Sequence, residues 1–239
     1  AVISDSTQIG KNVHIAPHVV IENNVTIGDG VQIGAGSSIG SNTIINKGSV
    51  IYPNVSIYHD VIIGNNCIID SGSVIGSDGF GLVKENNIHH KMPHIGKVVL
   101  EDYVWIGSNC CIDRGTLSNT IIGEGSKLDN LIHIAHNVQI GKNCIIAAQV
   151  GIAGSSILED NVTLAGQVGI IDHLIIGKNS IVASKSAVYQ SLEPGSFVSG
   201  IPARHHNNRI RQDVVINQLP DILNRIRKLE KEISISEDN

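Results

Sequence analysis

An aliphatic residue at every sixth position predicts a parallel β-helix, followed by a short α-helical extension. Three observations carry this reading. Isoleucine occupies position 3 and every sixth position after it as far as Ile75. The period returns after one long break and runs on to Val188. Beyond Pro202 the chain changes to charged residues, with apolar residues spaced by four and three.

A period of six fits neither the helical repeat of 3.6 nor a long alternating strand. It fits short strands joined by tight turns, each sending one side chain into a common core. Three such strands close a triangular coil of about 18 residues, and coils stack at the inter-strand spacing of ~4.8 Å. Roughly 28 aliphatic positions in register then make nine to ten coils. Each buried aliphatic contributes ~1.5–3 kcal/mol gross, offset by chain entropy. Residues 13, 19, 25, 31, 37 and 43, two before each isoleucine, are small or β-branched, and glycine often follows, as at Gly28, Gly34 and Gly40.

Two segments leave the repeat. Residues 77–97, SDGFGLVKENNIHHKMPHIGK, form an inserted loop, long enough to be functional. A second slip, of about four residues, falls across Asp113–Ile121. The β-helix domain is assigned to residues 1–199 and the helical extension to 200–239. In that extension Val215, Leu219, Ile222, Ile226, Leu229 and Ile233 form a heptad seam, and Pro220 is expected to kink the helix or start a second one. The seam reads either as a helix folded back on its own body or as one strand of a three-chain bundle.

The 239 residues carry a net charge of −5 with acids and bases interspersed, which excludes nucleic acid as the main partner. Aromatics at 3% leave no base-stacking platform. No stretch has the ~20 apolar residues of a membrane span and none reads as a signal peptide, so the expected location is cytoplasmic. The four cysteines lack zinc-finger spacing and read as small buried or wall residues of a reduced protein.

Column arithmetic sorts the histidines. Residues 18 apart stack on successive coils, so His136 lies under Gly154, and Asn137, Ser155 and His173 share the next column. His136 and His173 then sit on one face, roughly 10 Å apart. A base, a bare backbone donor and a second histidine are the parts that acyl transfer needs. The same two histidines also read as ordinary residues of a polar surface.

The segment TIIGEGSKLDNLIHIAHNVQIG at Thr120–Gly141 resembles the UDP-3-O-acylglucosamine N-acyltransferases of lipid A biosynthesis. GSDGFG at Gly76–Gly81, KMPHIG at Lys91–Gly96, IDRG at Ile112–Gly115 and SGIP at Ser199–Pro202 extend the likeness along the chain. The resemblance implies a left-handed coil and transfer of an (R)-3-hydroxyacyl chain from acyl carrier protein to a sugar 2-amine. It makes His136 the general base, His173 an assistant at the thioester, and Gly154 the oxyanion donor. Asp129 and Asn130 correspond to sugar contacts, Asn137, Phe80 and Gly81 fall in the substrate cleft, and neither metal nor cofactor is implied. The family usually carries an N-terminal uridine-holding domain, whereas this sequence opens directly in the repeats, that domain being either removed or absent, so weak nucleotide binding is expected. Ser186 and Ala187 fall where the family measures acyl length, and being small they transfer no preference.

Two assembly expectations follow. A flat wall excludes water only when a neighbour closes it, which with the heptads predicts a homotrimer with sites at subunit boundaries. Arg204, His205, His206, Arg209 and Arg211 form a basic patch suited to acidic acyl carrier protein. The rival readings are the sister O-acyltransferase of UDP-N-acetylglucosamine, a non-catalytic scaffold, and a zinc enzyme using His133 and His136.

Overall fold

The computed structural model describes residues 1–237, with side chains described as far as Glu230. Three parallel sheets of 10, 9 and 11 strands form the faces of a β-helix. Face A carries the core residues Ile21, Ile39, Ile57, Ile75, Ile112, Ile134, Ile152 and Ile170. Face B carries Ile63, Leu100, Ile122 and Ile140, and face C carries Ile69, Ile106, Leu128 and Ile146. The coil is left-handed, against the rule for ordinary parallel crossovers.

Most strands are two residues long, because each hexad must also turn a corner. The residue three after each core aliphatic has positive φ and is usually asparagine or glycine, as at Asn24, Gly30, Gly36 and Asn42. These residue types adopt that conformation at least cost. Coils approach closely beside them: a Cβ on Gly34 would lie 2.4 Å from the Pro53 backbone nitrogen one coil on. The core isoleucines are fully buried from Ile21 onward. Cys67, Cys110 and Cys144 are buried with them and Cys111 stands on the outer wall. Burial pushes the Cys110 thiol up to about 11, so it stays protonated at neutral pH.

The two interruptions are one structure. Ile75 pairs with Ile112, 37 residues on instead of 18, and Ile112 pairs with Ile134, 22 residues on. Both breaks leave the corner between faces A and B on consecutive coils, so they stack. Arg114 N donates to Ser77 O at 2.8 Å, Ile95 N to Thr116 O at 2.9 Å, and Gly96 N to Gly115 O at 2.9 Å. The inserted loop contains an antiparallel hairpin, Leu82–Glu85 with Ile88–Lys91.

The C-terminal extension differs from expectation in two ways. Arg204–His205 folds back antiparallel on Phe197–Ser199 of face C, and the helix begins at His206 rather than at residue 200. The helix, His206–Glu237, runs through Pro220 as one element rather than breaking into two. None of its described side chains is buried, and Val215, Leu219, Ile226 and Leu229 are exposed. The helix therefore does not fold its apolar seam onto its own body. Ile233 of the expected seam lies outside the described side chains. No helix is long and apolar enough to cross a membrane among the described residues.

Candidate active site

His136 follows core residue Ile134 by two positions and stands at the A–B corner one coil beyond the second break. Its ring is held by Asn137, the positive-φ residue of that turn. Thr116 N donates to Asn137 Oδ1 at 3.0 Å, and Asn137 Nδ2 donates to Ser118 Oγ at 2.5 Å. A backbone N–H can only donate, so the atom facing Thr116 must be the amide oxygen. The same oxygen lies 3.0 Å from His136 Nδ1, with Thr116 Oγ1 at 3.4 Å. The proton of the neutral imidazole is therefore on Nδ1, and Nε2 presents a lone pair. Asn137, at the edge of the expected substrate cleft, holds the His136 ring, with both ends of its amide engaged within the chain.

Gly154 lies against this ring. A Cβ there would sit 2.6 Å from His136 Cε1 and 2.8 Å from Nε2. The column arithmetic is thus realised as a direct contact. The Gly154 N–H makes no hydrogen bond among the described residues, while its carbonyl accepts from His173 N at 3.1 Å. A free donor beside a basic nitrogen is the pair needed to take a proton from a nucleophile and stabilise an oxyanion.

The inserted loop roofs the base. A Cβ on Gly79 would lie 2.9 Å from both His136 Cδ2 and His94 Nε2, so this glycine lets the loop press between the two rings. His94 is 5% exposed, with its ring centroid 5.4 Å from that of His136 in an edge arrangement. His94 Nδ1 faces the Met92 carbonyl at 3.0 Å and so carries the proton, which leaves Nε2 buried without a partner. No period places His94 against His136, because it lies in the aperiodic KMPHIG segment.

The loop is anchored from below by the second break. Arg114, 1% exposed, donates from Nε to Gly76 O at 2.7 Å and from Nη2 to His59 O at 2.8 Å. Burial lowers the pKa of its guanidinium, opposed by nearby Asp78 and Asp60. Asp78 pairs with Lys91 across the hairpin at 2.7 Å, and that hydrogen bond holds its carboxyl below the usual range. Ser77 Oγ donates to Asp113 Oδ1 at 2.9 Å. Burial pushes the Asp113 carboxyl up, opposed by Ser77, His133, His136 and His94.

Two cavities meet at Phe80, Asp113 and His133. One, of about 370 Å³, is also lined by His136, Gly151 and Gly154. The other, of about 530 Å³, lies under the loop and is also lined by Asp78, Gly81 and Lys91. Phe80 is 86% exposed at their mouth. Of the expected residues, His136, Gly154, Phe80 and Gly81 are therefore brought together.

Others are not. Asp129 and Asn130 lie on face C, in a separate cavity of about 470 Å³ with Trp105 and Lys127. There Asp129 Oδ1 accepts from Asn130 N, and Asn130 Oδ1 from Ser108 N. Asp129 does not orient His136 within one chain; Asn137 and Thr116 do. The His173 side chain is 75% exposed and 3.9 Å from Asp172, lining neither face-A cavity. Arg204, Arg209 and Arg211 line a groove of about 620 Å³ beside Val215 and Leu219. Arg209 pairs with Asp213 at 2.8 Å, and His206 stacks on Phe197, which reduces the free charge of that patch. No group of three or more His, Cys, Asp or Glu side chains is arranged to hold a metal among the described residues.

Fold and corner site together define a β-helical protein with a histidine site at one corner, and residues 1–35, 42–77 and 119–154 match the family described as bacterial transferase hexapeptide (six repeats). The chain is similar to proteins named UDP-3-O-acylglucosamine N-acyltransferase. Proteins of that name from Methylacidiphilum infernorum and Geobacter sp. are 53% and 50% identical over 157 and 160 residues. These alignments cover 66% and 67% of this chain but 45% and 46% of the relatives, so the chain matches under half of their length. Among solved structures, an Arabidopsis UDP-N-acetylglucosamine acyltransferase superposes with a TM-score of 0.79 at 25% identity, covering 89% of this chain and 75% of its own. A second protein of that name gives 0.63 at 26% identity, covering 94% and 81%.

Proposed function

We propose that this chain is the acyl-transfer domain of an N-acyltransferase. It moves an (R)-3-hydroxyacyl group from acyl carrier protein to the 2-amine of UDP-3-O-acylglucosamine. The observation that carries the reading is His136 Nε2, a lone pair beside the free Gly154 N–H in a cavity roofed by the loop. His136 takes the proton from the attacking amine, Gly154 N–H receives the charge developing on the thioester oxygen, and His136 returns the proton to the departing thiol. No cofactor takes part, since the acyl chain arrives on the carrier's own phosphopantetheine.

The active form is a cytoplasmic homotrimer, its chains aligned by the exposed helix seam. Face A of one copy then meets the Asp129–Asn130 cavity of the next, which supplies the sugar contacts. His173 assists at the thioester, and the carrier docks by Arg204, Arg209 and Arg211. The alternative, O-acylation of UDP-N-acetylglucosamine, is favoured only by the solved neighbours, at lower identity than the N-acyltransferase relatives. An acyl-transfer assay with the purified protein, acyl carrier protein and each acceptor separates them. Product with UDP-3-O-acylglucosamine alone supports the first reading, and product with the hydroxyl acceptor alone refutes it.

A further inference from the structure

Asp113 faces both cavities and is the only acidic residue lining the one that contains His136, among the described residues. It is 6% exposed, yet its charge is incompletely matched. Oδ1 accepts from Ser77 Oγ at 2.9 Å. Oδ2 lies 3.7 Å from His133 Nε2, beyond hydrogen-bond reach, and takes no hydrogen bond among the described residues. The neighbouring Arg114 does not compensate it, because that guanidinium is turned to the Gly76 and His59 carbonyls. A buried carboxylate with one open oxygen costs stability that an asparagine in the same place would not. Such an oxygen, opening on a cleft, suits a cationic ligand group.

We propose that Asp113, with His133 beside it, recognises the acceptor's amino group in its protonated form and makes the site selective for an amine over a hydroxyl. The assignment rests on the acyl-transfer reading. A sugar amine is partly ammonium near neutral pH, and an ammonium has no lone pair with which to attack. The carboxylate draws the ammonium into the cleft and accepts one proton, leaving the neutral amine. The amine nitrogen then bonds to the thioester carbon as the C–S bond breaks. Its second proton passes to His136 Nε2 and on to the departing thiolate, and Asp113 releases its proton to solvent. The upward push that burial gives the Asp113 carboxyl brings it nearer to the amine and eases the first transfer. A hydroxyl can donate a hydrogen bond to the carboxylate but brings no positive charge to it, and so gains less than the ammonium.

Two acceptors decide the matter: UDP-3-O-acylglucosamine and the matching sugar with a hydroxyl in place of the 2-amine. Calorimetry with the intact protein near neutral pH should show the amine binding about tenfold tighter, the usual margin of a charge-assisted hydrogen bond. Asp113→Asn should abolish that margin, costing the amine sugar about tenfold more affinity than the hydroxyl sugar. On wild-type protein alone, the margin should shrink severalfold once pH exceeds the amine's own pKa. A margin that survives Asp113→Asn, or that ignores pH, overturns the assignment. Equal affinity for both sugars in an enzyme that still acylates the amine overturns it while sparing the acyl-transfer reading. Binding of neither sugar overturns both.

Discussion

His136 Nδ1 and Asn137 Oδ1 lie 3.0 Å apart, and the backbone N–H of Thr116 fixes which end of the Asn137 amide faces the ring. The proton position on His136 is therefore set by a residue of the second repeat break. Replacing Asn137 with glycine keeps the positive φ of 62° without strain and removes the acceptor from His136, together with the amide's bonds to Thr116 and Ser118. Asn137→Gly should lower kcat about tenfold, the worth of one hydrogen bond, with the melting temperature little changed. Unchanged kcat in a steady-state assay would detach Asn137 from the base.

Gly154→Ala tests the contact on the other side of the ring. The added Cβ would sit 2.6 Å from His136 Cε1, so the imidazole must move by a large part of an ångström. A displacement of that size costs activity ~10²-fold. The isoleucine core is untouched, so circular dichroism should report an intact β-helix. Full activity in Gly154→Ala would show that the ring need not occupy this place.

The fold was legible where the repeat is strict and illegible where it stops. Every core position from Ile21 to Ile75 follows from a single period because each coil repeats the same geometry. The hairpin at 82–91 and the packing of His94 against His136 have no periodic signal. Asp129 shows how a corner separates residues that are close in sequence. It precedes His136 by seven residues, but six residues turn a corner, so closeness along the chain places it on another face. Columns 18 apart were a better guide than neighbours, which is why Gly154 was placed correctly.

Stability should depend on pH with opposite signs at two carboxyls. Asp113 is raised by burial, so the folded chain holds its proton more tightly than the unfolded chain. Its contribution is full below the unfolded value of about 4 and is lost as pH rises through the raised folded value. Asp78 is lowered by its Lys91 hydrogen bond, so its contribution is full above about 4 and is lost as pH falls through the depressed folded value. Thermal melts should show wild type losing ground to Asp113→Asn as pH is raised. They should show it losing its advantage over Asp78→Asn as pH is lowered. Parallel melting temperatures across the range would contradict both signs.

The exposed helix seam predicts the assembly. Leu219 and Ile226 are 45% and 46% exposed in one chain, and a carboxylate at either would be buried unpaired in a three-chain bundle. Leu219→Asp with Ile226→Asp should shift the protein from trimer toward monomer at micromolar concentration, read by light scattering. A wild-type chain that is already monomeric there would contradict the trimer.

In the proposed reaction His136 is the base. Neither its ring nor its hydrogen bonds belong to the isoleucine core, so His136→Ala should fold and assemble as wild type does. In acyl transfer from acyl carrier protein to UDP-3-O-acylglucosamine, the variant should lose ~10²–10⁴-fold in kcat, the usual contribution of a general base. KM should change little, because the interaction strengthens mainly in the transition state. Retention of more than about a third of wild-type kcat, far outside that range, would contradict the assignment.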